Sequence, residues 1–304
     1  MLKNMGLYLL KQRRNLIIAA LVCALLPFAG LPTFWISILL LALVTLYKGG
    51  REGFWVLLWV VLPGLAWSFI GDASQIAGII ALRVVVVWLL AVVLRRTASW
   101  AIILQCAALM GVISVISLHL VIPDVALWWI EELTTYWNSL APSLNLAVDV
   151  TKAQEFLQFA SQFATGVLAV ALLIMDLTLL LLARSWQAAL FNPGGLAKEL
   201  LQVRMSYTAC ALLLITALAS CFGSALAMDV LPVMMLPFAL AGLSLVHGQL
   251  KYKKPELKLP LLMGLYFALI LFLPYVAILL SAVAVIDSGY DFRSLRTKIG
   301  AAAK

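Results

Sequence analysis

The feature that most constrains this chain is the repetition of apolar runs of about twenty residues along its length. A helical run of that size crosses the ~30 Å hydrocarbon core of a bilayer. The composition agrees, because 65% of the residues are hydrophobic and 11% are charged, against roughly 45–50% and ~25% in soluble domains. The sequence therefore predicts an all-α, polytopic transmembrane helical bundle and excludes a soluble globular domain, a coiled coil and a disordered chain.

Charged clusters divide the apolar sequence into about eight spans. We place these at residues 15–28, 32–47, 54–70, 75–94, 98–122, 160–183, 206–228 and 230–248, with a further apolar stretch at 259–286. We treat residues 1–304 as a single integral membrane domain. Its parts are a first helical half at 15–122, an outer amphipathic segment at 123–159, a second helical half at 160–286 and a cytoplasmic tail at 287–304.

Lysine and arginine gather in alternate loops, and the positive-inside rule assigns those loops to the cytoplasm. With the N-terminus in the cytoplasm, the outer loops contain a single basic residue, Lys152. They contain seven acidic residues: Asp72, Asp124, Glu131, Glu132, Asp149, Glu155 and Asp229. The net charge of +8 then reflects basic inner loops that face anionic lipid, so we predict the lipid bilayer as a partner and no nucleic acid.

The last apolar stretch, 259–286, has two interpretations. It has 28 residues, or about 42 Å as one straight helix, which exceeds the ~30 Å core. Pro274 lies at its middle and would kink or break a helix. We predict a hairpin of two half-helices that leaves the basic tail in the cytoplasm. The alternative is a single tilted, kinked ninth span.

Ionisable residues inside the spans are the best indication of function, because a charge is costly in lipid. Arg83 lies near the middle of the fourth span, Asp176 lies in the sixth and Gln105 lies in the fifth. The Cα depths of Arg83 and Asp176 differ by roughly 6 Å, which an extended arginine can cover. We therefore expect these two to pair. The pair is either a structural link between helices or part of a substrate or proton site, with Gln105 at a similar depth.

The outer segment contains an amphipathic pattern over Val125–Leu140, where apolar residues recur at spacings of three or four. Glu131 and Glu132 fall on the other side. This predicts a helix at the outer interface, with Trp and Tyr at headgroup level. It forms either a structural belt or a lid over an outward-facing cavity.

The inner loop after the sixth span contains a turn of Asn192, Pro193, Gly194 and Gly195, preceded by Trp186. We expect the turn to separate two short helical pieces. It lacks the spacing of a phosphate-binding loop. The loop is either a connection that rests on the inner leaflet or a docking surface for a cytoplasmic protein partner.

No catalytic motif is present in the sequence. The chain has no GxSxG, HExxH or Walker motif and no paired cysteines at metal-ligand spacing. The four cysteines lie in apolar runs, where free Cys packs as a small hydrophobe. We therefore predict no catalytic residues, no metal site and no cofactor, and we do not expect an enzyme.

Three motifs lie in the second half of the chain: the inner loop 183–195, the segment 242–248 before a basic loop, and the tail motif that includes Asp287, Asp291 and Arg293. Together they resemble the YybS-like bacterial membrane proteins, a family of unknown function. The resemblance implies a bacterial inner-membrane protein of about eight spans with a cytoplasmic tail. It also implies a fold distantly similar to the substrate-binding membrane subunits of energy-coupling-factor transporters and to a rod-shape membrane protein.

Two functions follow from these observations. The first is binding or transport of a small-molecule substrate through a cavity among spans four to six, near Arg83 and Asp176. The second is a non-catalytic scaffold or assembly factor that docks cytoplasmic partners through the loop 184–204 and the C-terminal tail.

Overall fold

A computed structural model describes residues 6, 8, 11–68, 74–140, 150–253, 258–290 and 292. Within them the chain forms α-helices joined by turns, and no described residue is in a β-strand. The helices are α1 Arg13–Leu25, α2 Phe34–Lys48, α3 Gly50–Ser68, α4 Ser74–Thr97, α5 Trp100–Val121, α6 Val125–Leu140, α7 Val150–Ser161, α8 Ala164–Phe191, α9 Gly195–Leu200, α10 Tyr207–Cys221, α11 Ala225–Lys253, α12 Lys258–Leu271 and α13 Leu273–Tyr290. The predicted all-α class is confirmed.

Five segments of the described chain are long and apolar enough to cross a membrane. They are Gly78–Thr97, Trp100–Val121, Ala164–Phe191, Ala225–Leu250 and Leu273–Tyr290. Shorter apolar helices cover Arg14–Leu25, Phe34–Lys48, Tyr207–Cys221 and Leu259–Leu271. The long helices fit a polytopic membrane protein, as the composition predicts.

A turn at Pro27 and Gly30 separates the helices of the first two predicted spans, 15–28 and 32–47. α1 continues into a 3₁₀ turn over Leu26–Ala29, and Gly30 has a φ of 78°, in the left-handed region that favours glycine. The two helices that result have 13 and 15 residues, or about 20 and 23 Å. Each is therefore shorter than the hydrocarbon core.

The boundary between the predicted seventh and eighth spans lies earlier than expected. α10 ends in a Schellman motif, in which the N–H of Gly223 donates to the Ser220 carbonyl and the N–H of Ser224 donates to the Ala219 carbonyl. The Ser224 hydroxyl then caps α11 by accepting from the N–H of Ala227. The prediction that Asp229 lies in an outer loop is therefore wrong, because α11 has already begun four residues before it.

The outer amphipathic helix has the predicted bounds, Val125–Leu140. Residues 141–149, which follow this helix, lie outside the described residues. α7 follows as a second amphipathic helix, and a turn at Gln162 and Phe163 separates it from α8. The long helix α8 therefore begins after this turn.

The inner loop is shorter than predicted, because α8 continues through Phe191 without a break. Its first predicted short helix is thus the end of a 28-residue helix. Gly194 has a φ of 84° and starts the short helix α9. The Pro-Gly turn is where expected, but only α9 is a separate short piece.

The last apolar stretch breaks at Phe272, two residues before Pro274. This agrees with the missing N–H of proline, although α13 alone is long enough to be a candidate span. The Tyr266 hydroxyl of α12 lies 3.3 Å from His247 Nε2 of α11. Gln249 Nε2 donates to the Phe292 carbonyl beyond the end of α13. α13 therefore ends beside the C-terminal part of α11, which is the arrangement a returning hairpin requires.

The chain forms two compact units. The first contains residues 1–106 and 174–202, and the second contains 107–173 and 203–304. In the first unit α3 packs on α2 and α4, and in the second α11 packs on α10 and α13. Gly242 permits the close approach of α11 to α13, since a Cβ there would overlap the Leu280 carbonyl.

Candidate functional site

The predicted pairing of Arg83 with Asp176 is present in the first unit. The Nε and Nη2 atoms of Arg83 both donate to Oδ1 of Asp176, at 3.1 and 2.6 Å. Both residues are buried, with 8% and 2% of their surface exposed. The guanidinium also lies over the ring of Trp35, 4.9 Å from its centroid. α2, α4 and α8 thus meet around one charged pair.

The geometry of this pair leaves hydrogen-bonding capacity. An arginine has five N–H donors, and two of those of Arg83 converge on a single carboxylate oxygen. Within the described part of the chain, the other three form no hydrogen bond. Trp35 covers one face of the guanidinium and supplies a cation–π attraction. The arrangement can hold an acceptor group, such as a carboxylate or carbonyl, beside a neutralised cation.

Gln105 makes a local contact. Its Nε2 donates to the Ala101 carbonyl of the same helix at 3.2 Å, and this bond does not involve the ion pair. Hydrogen bonds thus join Arg83 to Asp176. The bond described for Gln105 instead holds its side chain along its own helix, α5.

A second buried polar cluster lies in the second unit and was missed by sequence reasoning. His119 Nε2 lies 2.8 Å from Asp229 Oδ2, and Asp229 Oδ1 accepts from the N–H of Gly166 at 3.0 Å. A Cβ on Gly166 would overlap the Asp229 carbonyl, so α8 and α11 are in backbone contact here. Close by, Trp129 Nε1 donates to the hydroxyl of Thr165 at 2.8 Å and ties α6 to α8.

The inner loop is held by polar contacts within the first unit. Glu199 of α9 pairs with Arg184 and accepts from Trp100 Nε1 at 3.3 Å. Gln187 Nε2 donates to the Leu46 carbonyl at 3.0 Å. These bonds fix the loop from both sides of its turn.

The predicted loop motif is divided between buried and exposed positions. Trp186 is half-buried, and its Nε1 would lie 2.9 Å from a Cβ on Gly6. Asn192, Pro193 and Gly194 are exposed, and the Asn192 side chain packs over Gly195. The exposed part of the motif is thus the turn itself.

Of the three charged residues named in the tail motif, only Asp287 is among the described residues. It is 2% exposed, and its Oδ1 accepts from the N–H of Phe292 at 3.1 Å. Asp291 and Arg293 lie outside the described residues. Asp287 therefore stabilises the end of α13 by a local hydrogen bond.

A cavity of about 440 Å³ lies where α3 begins and α4 ends. Its lining consists of Gly50, Arg51, Phe54, Trp88, Val92, Arg95 and Arg96. The sequence presents these arginines only as topology signals. Its lining includes none of Arg83, Gln105 and Asp176, the residues near which the sequence predicts a cavity.

The described residues contain no group of three His, Cys, Asp or Glu side chains that could hold a metal ion. Comparison with known proteins yields no family model, no curated protein and no solved structure that matches the chain.

Proposed function

We propose that the chain is a multi-pass inner-membrane protein that binds or transports a small molecule near Arg83 and Asp176, through a cavity among spans four to six. The observation that supports it is the ion pair, buried in two candidate membrane helices and retaining guanidinium donors. Charges inside membrane helices are costly and commonly mark substrate or ion pathways. A substrate with a carboxylate or carbonyl group fits those donors.

The proposed topology has eight spans and a C-terminal hairpin, with the N-terminus and the tail in the cytoplasm of a bacterium. The Lys and Arg asymmetry of the loops supports this orientation. The contact between Gln249 and the Phe292 carbonyl supports a tail on the same side as the basic loop after α11. Membership of the YybS-like family is a proposal that rests on the three motifs.

The test is mass spectrometry of small molecules that remain bound after purification in native lipid. The informative variant is Arg83→Met with Asp176→Leu, which removes both charges together and leaves neither unpaired. We expect this variant to fold and to lose a molecule that the wild type and Lys198→Ala retain. A folded double variant that keeps the same bound molecule would refute a role for the pair in binding.

The alternative is a scaffold that docks cytoplasmic partners through the loop 184–204 and the tail. The observation that favours a scaffold is an exposed turn whose two flanking segments are held in place, one by Glu199 and the other by Gln187. Co-purification of a defined partner should then be lost in Asn192→Ala and kept in Glu155→Ala, which changes an exposed residue outside the loop. Retention in both variants would count against docking at the turn.

A further inference from the structure

The cavity between α3 and α4 combines three arginines with two aromatic rings. Arg51 extends from the first turn of α3, and Arg95 and Arg96 belong to the last turn of α4. None of the seven described lining residues is acidic. Trp88 and Phe54 contact each other, with ring centroids 5.8 Å apart, and form an apolar side of the cavity. The charge of the cavity therefore favours an anion.

One of the three guanidinium groups is fixed in advance. Arg95 Nη1 donates to the Leu46 carbonyl at 2.5 Å and to the Tyr47 carbonyl, at the end of α2. Its Nε and Nη2 atoms lie over Gly49. Trp88 is fixed too, since its Nε1 donates to the Gly50 carbonyl at 3.2 Å. A site whose side chains are already oriented loses less entropy when a ligand binds.

The other two arginines have free donors. Within the described part of the chain, the side chains of Arg51 and Arg96 form no hydrogen bond or ion pair. Like charges without acidic partners repel each other, so an anion between them is stabilised by all three. Guanidinium groups bind phosphate oxygens through paired N–H groups. The first N–H groups of α3 also lie at this end of the helix and favour negative charge.

The depth of the cavity matches that of lipid headgroups. The candidate span Gly78–Thr97 ends directly after Arg95 and Arg96, and a span ends where hydrocarbon gives way to headgroups. Basic pockets at this depth bind anionic lipid headgroups. The volume, about 440 Å³, lies within the range of small-molecule sites.

We propose that this cavity binds a phosphate group through Arg51, Arg95 and Arg96. Trp88 and Phe54 then pack against the apolar atoms of the molecule that carries the phosphate. The phosphate belongs either to an anionic phospholipid or to a soluble phosphate. This site is distinct from the Arg83–Asp176 pair, so its failure would leave the proposed function unaffected.

The test measures the melting temperature of the full chain in nanodiscs. In one arm, phosphatidylglycerol replaces part of the phosphatidylcholine. In the other, inorganic phosphate replaces chloride at equal ionic strength in pure phosphatidylcholine. A rise in the first arm identifies the lipid, and a rise in the second identifies the soluble anion, because a ligand that binds the folded state raises its stability.

The informative variants are Arg51→Gln and Arg96→Gln, singly and together, since neither arginine supports the fold through a described contact. We expect about a tenfold loss of apparent affinity for each arginine removed. Arg14→Gln is the matched control, because Arg14 is exposed and outside the cavity. The proposal is overturned if neither arm raises the melting temperature of the wild type. It is also overturned if the rise persists in Arg51→Gln with Arg96→Gln, or is lost equally in Arg14→Gln.

Discussion

Removal of one partner from the Arg83–Asp176 pair should destabilise the fold far more than removal of both. Both residues are almost fully buried, and two N–H···O bonds join them. Breaking such a buried pair costs about 3–5 kcal/mol, because it leaves a desolvated charge. That corresponds to roughly a hundredfold to a few-thousandfold fall in the folding equilibrium constant.

The two single variants should differ in severity. An orphaned carboxyl can become neutral by binding a proton, whereas an orphaned guanidinium stays charged. Trp35 compensates the guanidinium in part, by about 1–2 kcal/mol. We therefore expect Asp176→Ala to be at least as harmful as Arg83→Ala, and the double variant to recover part of the loss.

The assay is a double-mutant cycle on the purified chain, with unfolding by denaturant in detergent micelles and folded yield as a second measure. Lys198→Ala and Glu155→Ala are the matched controls, because each removes one exposed charge. Additive effects of the two single substitutions, or single variants as stable as the controls, would show that the pair is not energetically coupled and would refute this reasoning.

Three further predictions concern packing and loop geometry. Gly242→Ala should lower the stability of the fold by about 1–3 kcal/mol in a thermal melt, because the added Cβ overlaps a carbonyl of α13. Gly264→Ala is the control and should be neutral or stabilising, because a Cβ there meets nothing within 4 Å. Ala98→Gly should raise the melting temperature, because Ala98 has a φ of 49° and glycine relieves a strain of about 1–2 kcal/mol. Ala171→Gly, in the interior of α8, should lower the melting temperature. A change in the same direction for Ala98→Gly and Ala171→Gly would contradict the backbone argument. Glu199→Gln should increase hydrogen exchange in the inner loop, since it removes the charge that holds Arg184; unchanged exchange would show that other contacts hold the loop.

Local sequence signals predicted much of the helical organisation. Pro27 and Gly30 divide the first stretch, and the pattern of apolar residues over 125–140 marks the outer helix with its observed bounds. Gly223 and Ser224 carry an equally local signal, a helix stop followed by a cap. The predicted boundary falls at Asp229 instead, because a charge in a nearly continuous apolar run resembles a loop.

The Arg83–Asp176 pair could be anticipated because hydrocarbon allows few ways to neutralise a charge. Arg83 and Asp176 are 93 positions apart in the sequence, and a similar depth in the membrane is enough to predict that they pair. His119 and Asp229 obey the same rule, but each lies close to a span end, where water is an equally good partner. The membrane depth of these two residues, counted along the sequence, therefore does not identify them as a pair.

Hydropathy and turn residues are enough to predict the helical membrane class, since a bilayer requires each backbone polar group to be satisfied within its own helix. Hydropathy and the positions of proline and glycine carry that information along the chain. Tertiary structure alone decided that Arg51, Arg95 and Arg96 share a cavity and that Asp229 is buried against Gly166. Such neighbourhoods depend on which helices pack together and on their rotation, and apolar helices in lipid carry little sequence record of either.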